Sequence, residues 1–202
     1  MNIPKYARLE NERRFWVARP PDLSGAAVRL IEDLYLRDSR LRLRMITHFD
    51  SAATEFKLCK KYDSDNPASG PIVNIYLSAA EHAMLSALPG HALRKRRHTV
   101  VHAGRAFSLD LFEGPLAGLA LCEAEAESAE AIRALAFPPW ATREVTADPF
   151  FTGAALSRLT AAELKARLDL DIGSIRAADV LKTTSPVAGQ PRNVKVPKQK
   201  RE

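Results

Sequence analysis

The sequence predicts a mainly β (α+β) protein built on a closed eight-stranded antiparallel barrel with flanking helices. Three observations support this fold class. Eight short segments of mostly alternating polar and apolar residues occupy the first 150 positions, turn-forming residues separate several of them, and helix-start signals occur at three places. Because closure removes exposed strand edges, a barrel is the arrangement expected for this many antiparallel strands in one domain.

The predicted strands are 7–17, 30–36, 40–48, 54–62, 71–77, 92–102, 105–113 and 118–126. The clearest turns between them, rich in Asp, Asn, Gly or Pro, are 63–67, 102–105 and 113–115. Capping boxes predict helices after Ser78 and Thr160, and Ser128 precedes a third helix. A last helix is expected over 173–182.

Length and composition restrict the class of protein. A chain of 202 residues, 46% of them hydrophobic, supports one sizeable core. No apolar run approaches the ~20 residues of a membrane helix, and the first residues contain no apolar signal segment. The two cysteines, Cys59 and Cys122, are therefore expected to be reduced thiols. These features predict a cytoplasmic protein with no membrane partner.

The positive charge is concentrated at the C-terminal end. The formal net charge is +6, and residues 183–202 contain five Lys or Arg and one Glu, which gives this segment +4. The segment is rich in Pro and polar residues and cannot bury enough apolar surface to offset its ordering entropy, so a basic disordered tail is predicted. A solubilising role is favoured over a nucleic-acid-binding arm, and no specific nucleic acid is expected as a partner.

Charged residues recur on one face of six predicted strands, since side chains at i, i+2 and i+4 point the same way. One such strand is typical of a half-solvated sheet. Six such strands in one barrel allow two arrangements. Either the charged faces point outward to solvent, or they point inward and line a charged lumen. A charged lumen requires compensation, because buried charge is costly unless it is paired or neutralised by a ligand or metal.

The two signs of charge suit two kinds of ligand. The acidic residues suit hard divalent cations such as Mg²⁺ and are Glu10, Glu12, Asp110, Glu123 and Glu125. The basic residues suit a polyanion, because Arg makes forked contacts with phosphate oxygens, and are Arg14, Arg42, Arg44, Lys57, Lys61, Lys95 and Arg97. A linear polyphosphate with a bound metal ion would satisfy both sets.

Seven charged motifs occur in a fixed order: E-N-E-R-R at 10–14, R-L-R at 42–44, K-L-C-K-K at 57–61, R-K-R-R at 94–97, S-L-D-L-F at 108–112, G-L-A-L-C-E-A-E at 118–125 and R-E-V-T at 143–146. Together with the segment 33–36 before the paired arginines, this series resembles the CYTH superfamily, the triphosphate tunnel metalloenzymes. The resemblance covers about residues 5–157. It implies a tunnel domain over 1–157, C-terminal helices over 158–182 packing on or beside the barrel, and the tail over 183–202.

The resemblance also implies a function and a set of site residues. The tunnel would bind a triphosphate and hydrolyse or cyclise it with Mg²⁺ or Mn²⁺. Metal would be held by Glu10, Glu12, Glu123 and Glu125, with Asp110 either on metal or paired with a base. Phosphate oxygens would be bound by Arg42, Arg44, Lys57, Lys61, Lys95 and Arg97. The residues expected to carry catalysis are Glu10, Glu12, Arg14, Glu123 and Glu125.

Two positions depart from the family motifs. Arg14 stands where the E-x-E-x-K signature has lysine, and Cys59 stands where the K-L-T-x-K strand has threonine. Arg14 keeps the positive charge but is not equivalent to a compact ammonium, and Cys59 lacks a hydroxyl that could bond a phosphate. Both substitutions are expected to affect the rate of the reaction and the choice of substrate.

The leading hypothesis is metal-dependent hydrolysis of inorganic tripolyphosphate. The alternatives are a non-catalytic polyphosphate- or nucleotide-binding protein, a thiamine triphosphatase and a class IV-type adenylate cyclase. The sequence does not determine the oligomeric state, and a homodimer is one of the possibilities.

Overall fold

The computed structural model describes residues 3–183, which divide into two compact units with the boundary between Ala161 and Ala162. The strands of the first unit are β1 (Arg8–Trp16), β2 (Ala27–Leu36), β3 (Leu41–His48), β4 (Thr54–Lys61), β5 (Ser69–Leu77), β6 (Gly90–His102), β7 (Arg105–Phe112), β8 (Ala120–Ala126) and β9 (Arg143–Glu144). Residues 184–202, which make up nearly all of the predicted tail, lie outside the described residues.

Eight of these strands form a closed antiparallel barrel, which confirms the predicted fold class. The strands are hydrogen-bonded in the order β5-β4-β3-β2-β6-β7-β8-β1, and a further pairing between β1 and β5 closes the ring. Strand β1 therefore has two partners along its length: Leu9 lies opposite Pro71 on β5, and Arg14 lies opposite Glu123 on β8. The short β9, which the alternation did not predict, pairs with the end of β1 at Phe15.

Local sequence accounts for the turns and helix starts. The turn between β6 and β7 has Ala103 and Gly104 at φ values of 49° and 73°, the left-handed backbone that a type I′ hairpin needs. The helices are α1 (Ala79–Ser86), α2 (Ala129–Arg133), α3 (Gly153–Leu156) and α4 (Ala161–Thr183). Ser78 and Glu81 form the capping box predicted for α1.

Helix α4 differs from the prediction, which had one helix after Thr160 and another over 173–182. The structure has a single helix that continues through Gly173, because glycine weakens a helix interior by only about 1 kcal/mol. Across residues 3–183, no helix combines the length and the hydropathy needed to span a membrane.

An apolar core lies on the outer face of the barrel, across β1, β7 and β8. Its buried residues alternate along β1, β7 and β8 with the charged positions, and α2 contributes Ile132; they are Phe15, Val17, Phe107, Leu109, Ala120, Cys122, Ala124, Ile132 and Leu135. The indole of Trp140 packs on the edge of this core and donates to Cys122 Sγ at 3.4 Å. Since these apolar side chains face outward, the charged residues that alternate with them on β1 and β8 face the lumen; they are Glu10, Glu12, Arg14, Glu123 and Glu125.

Candidate active site

The lumen contains a cavity of about 570 Å³ with a charged wall. Its charged lining residues include Glu10, Glu12, Arg14, Arg42, Arg44, Lys61, Lys95, Arg97, Glu123 and Glu125. Part of the wall is apolar and includes Leu93, Phe112, Leu121 and Phe151. Of the two alternatives left by the sequence, the structure thus has the charged lumen.

Three carboxylates form one cluster at the seam between β1 and β8. Glu10, Glu12 and Glu125 each offer an oxygen atom, and these atoms lie within 4.8 Å of one another. The pairing of the strands explains the cluster, because Glu12 lies opposite Glu125 and Glu10 shares its face of β1. Burial and the negative charges of Glu10 and Glu12 raise the pKa of Glu125. We call these residues the carboxylate trio; a divalent cation would relieve their mutual repulsion.

Glu123 has a different environment from the trio, although it lies only two residues from Glu125. Its Oε1 accepts from Arg14 Nε at 2.9 Å and its Oε2 from Arg97 Nη2 at 2.5 Å. Burial alone would raise the pKa of Glu123, but the charges of Arg97, Lys95 and Arg14 hold it well below its usual range. Glu123 is therefore an ionised counterion shared by two arginines.

Asp110 lies beneath the cavity wall and is completely buried. Its two oxygens accept from Arg97 Nε and Nη2, both at 2.7 Å, and Oδ2 also accepts from Lys95 Nζ. Burial lowers the pKa of Lys95 in spite of the nearby Asp110 charge. Asp110 is therefore paired with two basic side chains, which is one of the two roles left open for it; its role toward a metal stays a prediction.

Asp33 is a site residue that the sequence analysis did not single out. Its oxygens accept from Arg44 Nε at 2.6 Å and Arg44 Nη2 at 2.7 Å, and Oδ1 lies 3.7 Å from Arg42 Nε. Burial would raise the pKa of Asp33, but Arg44 and Arg42 lower it to about 2. The signal that could have identified Asp33 is a carboxylate on the same face of β2 as the apolar Ile31. In the structure Asp33 lies opposite Arg44 on β3.

Arg42 is flanked by uncharged groups as well as by Asp33. Tyr35 and Cys59 also line the cavity. Burial opposes the charged form of Arg42, but Asp33 holds its pKa above the usual value, with smaller contributions from Tyr35 and Cys59. Within the described residues, Arg42 Nε has no hydrogen-bond partner. A Cβ atom at Gly153 would overlap Tyr35 Oη, so glycine is required where α3 begins against the tyrosine.

The two lysines of β4 that were predicted to bind phosphate, Lys57 and Lys61, lie in different places. Lys61 Nζ lies 2.5 Å from Glu10 Oε2 and 3.1 Å from Glu12 Oε1, inside the carboxylate trio. Lys57 binds Glu55 Oε2 at 2.8 Å and lies over the ring of Tyr76, 4.9 Å from its centroid. Lys57 is thus the predicted phosphate-binding residue that the structure does not bring to the cavity wall.

No protein-family model matches the chain. The chain is 35% identical over 154 residues to the inorganic triphosphatase of Nitrosomonas europaea (strain ATCC 19718), a match that covers 73% of this chain and 96% of that protein. This chain belongs to the CYTH superfamily. The resemblance drawn from the seven motifs is confirmed.

Solved CYTH structures agree with the observed barrel. The crystal structure of the inorganic triphosphatase NE1496 matches with a TM-score of 0.50 at 30% identity, over 73% of this chain and 93% of that one. A second crystal structure of NE1496, described as a hypothetical protein, matches with a TM-score of 0.52 at 29% identity, over 75% and 99% of the two chains.

Arg14 departs from the CYTH signature lysine in a way that the geometry explains. Its guanidinium donates to Glu123 Oε1 at 2.9 Å, to Glu12 Oε1 at 2.7 Å and to the carbonyl oxygen of Phe151 at 3.3 Å. Burial opposes the charged form, but Glu123 and Glu12 raise the pKa of Arg14 above its usual value. A planar fork can bridge these partners, whereas an ammonium is a single point of charge.

Proposed function

We propose that the protein hydrolyses a triphosphate in the barrel cavity and that inorganic tripolyphosphate is its substrate. The observation that carries the proposal is the division of one cavity between a basic wall and the carboxylate trio. A linear polyanion with a bound divalent ion would complement both. The 35% identity to a protein named inorganic triphosphatase supports the same reaction.

The basic wall supplies binding and charge neutralisation, which phosphoryl transfer needs more than covalent help. Asp33 engages Nε and Nη2 of Arg44 but not Nη1, and Asp110 and Glu123 hold Arg97 through the same two nitrogens. These pairs fix both guanidinium groups before the substrate arrives. Preorganised donors of this kind stabilise a developing charge without reorganisation during the reaction.

The carboxylate trio fits Mg²⁺ or Mn²⁺, because hard cations prefer carboxylate oxygens and the three oxygens already converge. Glu10, Glu12 and Glu125 would hold the ion, which would neutralise phosphate charge and activate water. Glu123 and Asp110, which the sequence analysis also assigned to metal, pair with Arg14, Arg97 and Lys95, and we propose that they position these cationic side chains for phosphate. A cytoplasmic location is part of the proposal, and the free thiols of both cysteines agree with it, because disulfides are rare in the cytosol.

Phosphate release from tripolyphosphate, ATP and thiamine triphosphate, each with Mg²⁺ or Mn²⁺, tests the proposal. We expect tripolyphosphate to be hydrolysed fastest and Glu10→Gln to lower turnover by about a hundredfold or more. The control is Glu127→Gln, at an exposed position just beyond β8. If phosphate is released from none of the three substrates, the proposal is wrong and the alternative of a non-catalytic binding protein is favoured. If cyclic AMP is formed from ATP, the reaction is cyclisation and not hydrolysis.

A further inference from the structure

Lys61 occupies the position where the metal ion is proposed to bind. Its ammonium nitrogen lies 2.5 Å from Glu10 Oε2 and 3.1 Å from Glu12 Oε1. Glu12 Oε1 also accepts from Arg14 Nη2 at 2.7 Å. Two of the three carboxylates that would hold a divalent ion are therefore already in contact with a cation supplied by the chain.

Lys61 differs from the other cations of the cavity in how firmly it is held. The side chains of Arg14 and Lys95 are only 12% and 8% exposed, and their partners enclose them. The side chain of Lys61 is 47% exposed and lies at the last residue of β4. Its long, flexible stem and compact charge allow the ammonium to leave the carboxylates without breaking a buried pair.

The charges of the trio favour such an exchange. Three carboxylates face one ammonium and one guanidinium, and Arg14 divides its charge between Glu12 and Glu123. The trio thus keeps a net negative charge when Lys61 is in place. A divalent ion would compensate the trio more fully, and the ammonium cannot remain beside it because like charges repel at this distance.

We infer that Lys61 is an exchangeable internal counterion, which occupies the carboxylate trio in the metal-free protein and is displaced when a divalent ion enters. The inference rests on the proposed metal site and goes beyond it. Once displaced, the ammonium lies at the cavity wall with its charge available to a phosphate chain. Lys61 therefore lowers metal affinity in the free protein and couples metal binding to the binding of the triphosphate, and this coupling is reciprocal.

Direct metal binding tests the exchange without any turnover. Mn²⁺ binding to the full-length protein, with no phosphate present, is measured by electron paramagnetic resonance for the parent, Lys61→Met and Lys60→Met. Lys60 is the matched control because it lies on the opposite face of β4, over the ring of Tyr62. We expect Lys61→Met to bind Mn²⁺ at least about fivefold more tightly than the parent, and Lys60→Met to bind like the parent.

Amine reactivity tests the displacement itself in the unmodified chain. The rate at which an amine-reactive reagent labels Lys61, followed by mass spectrometry, should rise when Mg²⁺ saturates the protein, while the rate at Lys60 stays constant. An unchanged rate at Lys61 would overturn the inference. This measurement does not depend on the folding of any variant.

The outcomes separate the inference from the proposed metal site. Equal Mn²⁺ affinity in the parent and Lys61→Met would overturn the counterion role and leave the metal site intact. No Mn²⁺ binding by either protein would overturn both. If Lys61→Met fails to melt cooperatively, Lys61→Gln, which keeps a hydrogen-bond donor without the charge, takes its place in the same comparison.

Discussion

Asp33 and Arg44 form a two-point ion pair inside the barrel, with oxygen–nitrogen distances of 2.6 and 2.7 Å. The two residues lie opposite each other on β2 and β3, so the register of these strands brings the pair together. The pair holds Arg44, which we propose binds phosphate, in a single orientation. It also makes a buried carboxylate responsible for part of the stability of the cavity wall.

The first prediction concerns the pH dependence of stability. The pKa of Asp33 falls from 3.8 to about 2 on folding. Its ionised form therefore stabilises the folded protein fully above pH 3.8, and the contribution of about 2 kcal/mol is lost as the pH falls through about 2. Urea unfolding of the parent and of Asp33→Asn at pH 5, 4 and 3 measures this loss. The parent should lose more stability than the variant over this range.

Asp38→Asn is the control for that experiment, because Asp38 is exposed in the β2–β3 turn and asparagine also tolerates its left-handed backbone. It should follow the parent at every pH. Parallel pH profiles for the parent and Asp33→Asn would contradict the assignment of a depressed pKa to Asp33.

The second prediction separates the two paired arginines. Arg44→Ala leaves Asp33 without its two-point partner, and breaking a buried pair from one side costs about 3–5 kcal/mol. Arg42→Ala leaves the Asp33–Arg44 pair in place and should change stability by less than about 1 kcal/mol. Both variants should have a higher KM for tripolyphosphate. Urea unfolding without ligand compares the stabilities of the two variants, and initial-rate kinetics compare their KM values. Equal losses of stability in the two variants would refute the prediction.

The third prediction separates Glu10 from Glu123. Glu10→Gln should abolish Mn²⁺ binding and lower turnover by about a hundredfold or more. Glu123→Gln should still bind Mn²⁺ but melt at a lower temperature, because Arg14 and Arg97 would lose their shared counterion. Electron paramagnetic resonance and thermal melts provide the two readouts. Loss of Mn²⁺ binding in Glu123→Gln would contradict this prediction and indicate that Glu123 is a metal ligand.

The fourth prediction concerns the arginine in the signature. Arg14→Lys keeps the positive charge but cannot reach Glu12, Glu123 and the Phe151 carbonyl through one planar fork. We expect turnover of tripolyphosphate within about tenfold of the parent and a lower melting temperature. The control is Arg13→Lys, since Arg13 binds Glu144 outside the cavity. A loss of turnover far beyond tenfold with an unchanged melting temperature would show that the fork itself is needed for the reaction.

Strand alternation was enough to predict which charged residues share a face of a strand, because side chains two apart point the same way, and the cavity lining shows that this face is the lumen. It could not distinguish Glu123 from Glu125, which have the same spacing. Their environments differ because Glu123 lies opposite Arg14 and Glu125 lies opposite Glu12, and this register is a long-range property of the fold.

The same limit applies to Lys57 and Lys61. They share a face of β4, but four residues of strand separate their Cα atoms by about 13 Å. Only Lys61 reaches the carboxylate trio, and Lys57 binds Glu55. A shared face therefore identifies the wall of a barrel but not the height along it at which a ligand lies.

The double pairing of β1 has a kinetic consequence. Glu10 lies in the segment of β1 that pairs with β5, Glu12 lies in the segment that pairs with β8, and Glu125 comes from β8 itself. More than a hundred residues separate β1 from β8 along the chain, and contacts so distant form slowly because a long loop must first be ordered. The trio is therefore assembled only when the ring closes. During refolding, the recovery of Mn²⁺ binding would follow this closure, later than the formation of the local hairpins.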